Sequence, residues 1–93
     1  MNWFVLGNTL EAREIIKEEL FELRGVQEYK AHFESLFIFE WLEGKGLLIK
    51  RKDMGIAGVM IRKIMTDDMV SVYLKSVLQK KISPADFSIK KVK

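Results

Sequence analysis

The stretch that decides the fold is EYKAHFESLFIFEWLEGKGLLIKRK at residues 28–52. A helix over its first part would surround the cylinder with apolar side chains, which a small domain has no means to bury. An extended chain instead puts alternate residues on one face. We therefore predict a strand over 28–42, bent near Glu34 because its length exceeds the usual strand of about 5 or 6 residues. Its shared face carries Tyr29, Ala31, Phe33, Ser35, Phe37, Phe39 and Trp41.

The glycines that follow this stretch predict turns between further strands. EGKG at 43–46 has the composition of a hairpin turn, and LLIKRK at 47–52 that of the next strand. DMGIAG at 53–58 is interpreted as a second turn, and VMIRKIM at 59–65 as a third strand. The residues expected to shape this second turn are Gly55 and Gly58.

The flanking segments complete an α+β pattern. NWFVL at 2–6 predicts a first strand, and a helix is expected from an N-cap at Asn8 to about Arg24. Thr66, followed by two aspartates, predicts a second helix, and residues 86–92 predict a last strand. The order is βαβββαβ, or βαββαβ if the middle strands merge. We expect a ferredoxin-like sandwich with two helices on one face of a mainly antiparallel sheet.

Length and composition predict one globular domain spanning residues 1–93. The chain is 48% hydrophobic, has one proline and contains no cysteine, so disulfides and thiolate sites are excluded. The longest apolar run, LFIF at 36–39, is far shorter than the roughly 20 residues of a membrane span. No leader pattern follows Met1, and we expect a cytoplasmic protein without a membrane partner.

Charge is distributed unevenly along the chain. Residues 1–46 carry nine acids against five bases, a net charge of −4, whereas residues 47–93 carry four acids against eleven bases, a net charge of +7. This asymmetry suits an anionic partner on the basic side or head-to-tail pairing of two copies.

Residues suited to catalysis or metal binding are sparse. His32 is the single histidine, and together with Glu34 it supplies too few ligands for a zinc site. Asp67 and Asp68 are explained by their place at a helix start, and the EGKG segment lacks the Ser or Thr of a phosphate loop. We therefore expect a binding protein without enzymatic activity, cofactor or metal.

The leading functional hypothesis is nucleic-acid binding through a basic β-hairpin. If residues 47–52 pair with 58–63, Lys50, Lys52 and Arg62 lie on an electropositive outer face, whereas Arg51 and Lys63 border the apolar core face. Cations at this density can neutralise phosphates. RNA is preferred to DNA on fold analogy alone. The predicted phosphate contacts are Lys50, Arg51, Lys52, Arg62 and Lys63.

Known nucleic-acid modules match this segment poorly. The predicted middle strands lack the aromatic residues of an RRM. The spacing of Gly55 and Gly58 is similar to a KH loop, but Ile56 and Ala57 stand where such loops carry polar residues. A winged-helix interpretation needs a groove-reading helix over residues 31–43, whose glutamates and aromatics are unsuited to phosphates.

The alternative hypothesis is a protein-interaction or regulatory subunit that dimerises or docks on another protein. It rests on apolar residues that the predicted fold leaves outside the core. These residues are Leu10 and Phe21 on the far face of the first helix, and Met54 and Ile56 at the predicted hairpin tip.

Overall fold

A computed structural model describes residues 1–92, which form an α+β fold with a four-stranded antiparallel sheet. The strands are β1 (Asn2–Gly7), β2 (Phe37–Leu42), β3 (Gly46–Arg51) and β4 (Phe87–Val92). The helices are α1 (Leu10–Ile16), α2 (Lys30–Leu36), α3 (Gly55–Ile64) and α4 (Asp67–Gln79). A π-helical turn (Lys17–Phe21) prolongs α1, and 3₁₀ segments precede α2 (Arg24–Tyr29) and β4 (Pro84–Asp86).

The sheet has the strand order β2-β3-β1-β4, with every neighbouring pair antiparallel. Its register places Trp3 opposite Ile49 and Val5 opposite Leu47, so these four side chains share one face. Gly46 approaches the β1 backbone so closely that a Cβ atom there would lie 2.0 Å from the Val5 carbonyl oxygen. A side chain at this position is therefore incompatible with the close packing of β3 on β1.

The core lies between this sheet face and helices α1 and α4. Helix α1 contributes Ala12 and Ile16, and α4 contributes four apolar residues at helical spacing. The indole N–H of Trp3 also donates to the Ser71 hydroxyl of α4 at 3.0 Å, which ties the helix to the central strand. The buried residues of α4 are Val70, Leu74, Val77 and Leu78.

Helix α1 begins and ends close to the predicted positions. Its N-cap is Thr9, not Asn8, because the Thr9 hydroxyl accepts a hydrogen bond from the Ala12 backbone N–H at 3.0 Å. The Asn8 amide instead donates to the Ala85 carbonyl. The helical path ends before Leu23, whose φ of 62° is left-handed, rather than running to Arg24.

The predicted strand over residues 28–42 is wrong in its first half. Residues up to Leu36 are helical, and only Phe37–Leu42 is extended. Phe33 and Leu36, three residues apart, both reach the core from α2, whereas strand alternation would send them to opposite faces. A helix over all of residues 28–42 would be apolar on every side. The observed helix α2 avoids this because it ends at Leu36, and the residues from Phe37 onward form β2.

The predicted third middle strand and its hairpin are also wrong. Residues 59–65, expected to pair with β3, lie in α3 up to Ile64, and β3 is flanked by β2 and β1 instead. Gly55 starts this helix with a φ of 61°, a conformation that favours glycine, and Gly58 lies inside it. Neither glycine shapes a hairpin turn.

Among residues 1–92, no helix combines the length and the apolar content that crossing a bilayer requires.

Candidate interaction surface

Helix α3 is set off from the sheet by a short local turn. The Asp53 carboxylate accepts a hydrogen bond from the Gly55 backbone N–H at 3.1 Å, which positions the first helical residue. Gly58 is the residue that α3 buries, and Ile61 packs partly against the core. The helix therefore rests on the domain through one narrow side.

The opposite side of α3 is apolar and exposed. At 100° per residue, four large side chains fall within one arc of about 140°. Ile56 is 83% exposed and Ile64 is 77% exposed, so the chain itself covers very little of this surface. We call it the α3 outer face, made of Ile56, Val59, Met60 and Ile64.

An apolar groove continues the α3 outer face at its C-terminal end. It encloses about 250 Å³ between α2, α3 and α4, and Ile64 belongs to both the groove and the α3 outer face. Burial, and then the nearby Glu28 carboxylate, raise the pKa of Tyr73 in its wall to about 12. The Tyr73 hydroxyl stays protonated and donates to Glu28 Oε1 at 3.3 Å. Other lining residues are Tyr29, Phe33, Met65, Met69 and Val70.

Two of the predicted phosphate contacts lie on α3. Arg62 and Lys63 are exposed, and within residues 1–92 neither makes an ion pair. By helical angle, Lys63 falls between Val59 and Ile56 on the α3 outer face. This surface is therefore both apolar and cationic.

Lys50 and Lys52 are placed on other parts of the molecule. The Lys50 ammonium group pairs with Glu40 across the β2–β3 ladder at 3.6 Å. Lys52 follows β3 and its ammonium group donates to the Glu34 carbonyl oxygen at 3.3 Å. The predicted hairpin would have placed these cations close together. In the structure they are divided between the sheet and α3.

Arg51 lies inside the protein. Its side chain is 3% exposed, with the guanidinium carbon 5.4 Å from the ring centroid of Trp3 and 5.3 Å from that of Phe37. Nη2 donates to Asp67 Oδ1 at 2.9 Å and to the Met65 carbonyl oxygen at 3.0 Å. These contacts fasten the start of α4 to β3 and leave this guanidinium unable to reach a phosphate.

Within residues 1–92, no helix packs on the second face of the sheet, which forms a separate candidate surface. The register puts Phe4 of β1 between Leu48 of β3 and Lys90 of β4, with Lys50 on the same face. Phe4 remains partly exposed. This sheet face combines one aromatic ring with two cations, beside the Glu40 carboxylate that pairs with Lys50.

The predicted protein-interface residues are exposed but lie on two different elements. Leu10 projects from the start of α1, and Phe21 lies against Trp41 with the ring centroids 6.1 Å apart. Met54 and Ile56 flank the start of α3. The fold therefore presents an α1 surface and an α3 surface, and Ile56 belongs to the α3 outer face.

The residues weighed for metal binding are dispersed. His32 is exposed on α2, with its ring against Tyr29. Asp67 binds Arg51, and Asp68 pairs with Lys91. Within residues 1–92, no three His, Cys, Asp or Glu side chains are grouped so that they could hold a metal ion.

Sequence reasoning missed three of the four residues of the α3 outer face. Val59, Met60 and Ile64 were assigned to a strand, although Ile56, Met60 and Ile64 recur every four residues. That spacing is typical of a helix face. It was the available signal for a helical surface.

Comparison with known proteins found no match to this chain among protein-family models, curated proteins or solved structures.

Proposed function

We propose that this protein is a non-enzymatic protein-interaction module that binds a partner through the α3 outer face. The observation that carries the proposal is the exposure of Ile56, Val59, Met60 and Ile64 along a single helix side. Contiguous apolar surface of this kind marks interaction sites in soluble proteins.

The composition of this surface supports a protein partner. Covering apolar side chains gains about 25 cal/mol for each Å² removed from water, so several adjacent residues form a usable binding core. Methionine adapts to different partner shapes, and the adjoining groove offers room for an anchoring side chain. Arg62 at the margin and Lys63 within the surface supply charge that favours some partners over others.

We also propose that the fold belongs to the ferredoxin-like arrangement. The strand order β2-β3-β1-β4 and the helical connections from β1 to β2 and from β3 to β4 support this assignment. On this view α3 is an addition to the second connection, which leaves the core to α1 and α4.

Site-specific photo-crosslinking tests the proposed function. A photoreactive amino acid in place of Met60 is expected to form protein adducts in cells that make the protein, whereas one in place of the exposed Lys75 of α4 is not. Adding Ile56→Asp to the Met60 probe should abolish the adducts while leaving the fold intact. Equal labelling at both probe positions, or none at Met60, would contradict the proposal.

Single-stranded RNA binding on the uncovered sheet face is the second candidate function. It is supported by Phe4, which lies beside Lys90 of β4 and shares that face with Lys50, the partner of Asn2 in the register. An aromatic ring can stack on a base, and ammonium groups can neutralise the adjoining phosphates. This arrangement replaces the predicted hairpin and omits Arg51, which is buried.

Fluorescence anisotropy with a short mixed-sequence RNA tests the second candidate. Affinity should fall steeply between about 50 and 200 mM salt, because phosphate contacts release counterions. Phe4→Leu and Lys90→Gln should each weaken binding, whereas Arg62→Gln on α3 should not. If Arg62→Gln weakens binding as much as Lys90→Gln, RNA does not select the sheet face, and absence of binding at the lower salt removes RNA altogether.

A further inference from the structure

The outward side of α1 is complementary in charge to the α3 outer face. Its exposed acids Glu11, Glu14 and Glu18 make no ion pair within residues 1–92. At 100° per residue, Leu10, Glu11 and Glu14 of α1 share one arc of about 100°, and the π-helical turn that follows adds the exposed Glu18 and Phe21. We call this surface the α1 outer face, made of Leu10, Glu11, Glu14, Glu18 and Phe21.

The cations of α1 are engaged outside this acidic group. The Arg13 guanidinium donates to the Gly7 carbonyl oxygen at 3.0 Å. The Lys17 ammonium group lies over the Trp41 ring, 5.7 Å from its centroid. The three glutamates therefore present negative charge to whatever approaches α1.

The two outer faces are also similar in length and in the placement of their apolar side chains. At 1.5 Å per residue, helix α3 is about 15 Å long and α1 is about 10 Å long, and the π-helical turn continues α1 by five residues. Each has apolar side chains near both ends, Leu10 and Phe21 on α1 and Ile56 and Ile64 on α3. Arg62 and Lys63 carry the positive charge that the α1 outer face lacks.

We propose that the partner of the α3 outer face is a second copy of this chain, which docks its α1 outer face there. The inference rests on the proposed function and names the occupant of that same surface. Helix-on-helix packing covers apolar residues on both sides and brings unpaired cations to unpaired carboxylates. Each copy supplies both surfaces, so every chain offers one docking surface and one docking helix to further copies.

Charge reversal provides a test with internal rescue. Glu14→Lys with Glu18→Lys makes both outer faces basic, and Arg62→Glu with Lys63→Glu makes both acidic. Sedimentation velocity should show self-association of the wild type up to about 100 µM, and monomers for each reversed variant alone. An equimolar mixture of the two variants should associate, because each basic surface then meets an acidic one.

A matched control and the salt dependence complete the experiment. Lys75→Glu with Lys80→Glu makes the same charge change on exposed residues of α4 and its end, and should associate like the wild type. Association should weaken several-fold from low to high salt. A monomeric wild type, or a mixture that fails to associate, would overturn the inference. Adducts from the Met60 probe to a different protein would then preserve the proposed function while excluding the second copy.

Discussion

Helices α3 and α4 follow one another with only Met65 and Thr66 between them, yet they treat apolar side chains in opposite ways. α4 directs four apolar residues into the core, between this helix and the sheet. α3 buries Gly58, packs Ile61 partly against the core and directs its other four large apolar residues outward. The difference indicates that α4 stabilises the fold, whereas the outer side of α3 is left exposed to solvent.

The largest expected effect comes from truncating one apolar residue in each helix. Leu74→Ala removes a fully buried side chain of α4 and should lower the free energy of unfolding by about 2 to 5 kcal/mol. Ile56→Ala removes an exposed side chain of α3 and should change it by no more than about 0.5 kcal/mol. Chemical denaturation of dilute protein measures both. Comparable losses would show that α3 also belongs to the core.

The next comparison concerns the two aspartates at the start of α4. Asp67→Asn weakens the charged hydrogen bonds to the buried Arg51 and should destabilise the fold by about 1 to 3 kcal/mol. Asp68→Asn removes an exposed pair with Lys91 at the same helix end and should cost about 0 to 1 kcal/mol. Thermal unfolding of the two variants side by side measures this difference. An equal loss would contradict the anchoring of α4 through Arg51.

A smaller effect distinguishes the two glycines of α3. Gly55→Ala places a Cβ at a φ of 61° and should destabilise the start of the helix by about 1 to 2 kcal/mol, although no atom lies within 4 Å of that Cβ. Gly58→Ala gains helix propensity worth about 1 kcal/mol, offset by a 3.3 Å approach to the Met54 Cβ. Amide hydrogen exchange over residues 55–64 should be faster only in the Gly55 variant. The opposite order would contradict a helix that begins at Gly55.

Several elements could be predicted because their apolar residues are buried in a regular pattern. The continuous apolar face after Thr66 predicts α4. The glycines at 43–46 predict the turn between β2 and β3. In strands β1, β3 and β4, apolar residues either alternate with polar residues or form a continuous run, as is usual for strands of a sheet. In these elements the local pattern and the tertiary packing agree.

The missed elements are those in which burial does not follow the local pattern. VMIRKIM is rich in β-branched and apolar residues, and this composition favours a half-buried strand. The structure leaves most of these side chains exposed to solvent, so the composition does not indicate burial in the core. The division of residues 28–42 depends on Phe33 and Leu36 reaching the same core from a helix. Arg51 is predicted to contact phosphate because its sequence neighbours do not reveal that it is buried. The Trp3 and Phe37 rings that enclose it come from segments distant in sequence.

A further effect is a loss of stability that appears only at alkaline pH. Burial and Glu28 raise the folded-state pKa of Tyr73 from 10.0 to about 12, so the unfolded chain releases this proton first as the pH rises. The contribution is fully present below pH 10 and is lost as the pH rises through about 12. Tyr73→Phe should flatten the decline of unfolding free energy over this window. If the free energy of unfolding of the variant declines with the same slope as that of the wild type, groups other than Tyr73 cause the decline.

The central claim is that the chain leaves the α3 outer face uncovered for another molecule, and methyl NMR tests it most directly. In dilute protein, a soluble paramagnetic probe should strongly broaden the methyl signals of Ile56, Met60 and Ile64 and spare those of Val70 and Leu74. Raising the protein concentration or adding a partner should protect the first group only. Equal protection of both groups in dilute protein would contradict the account.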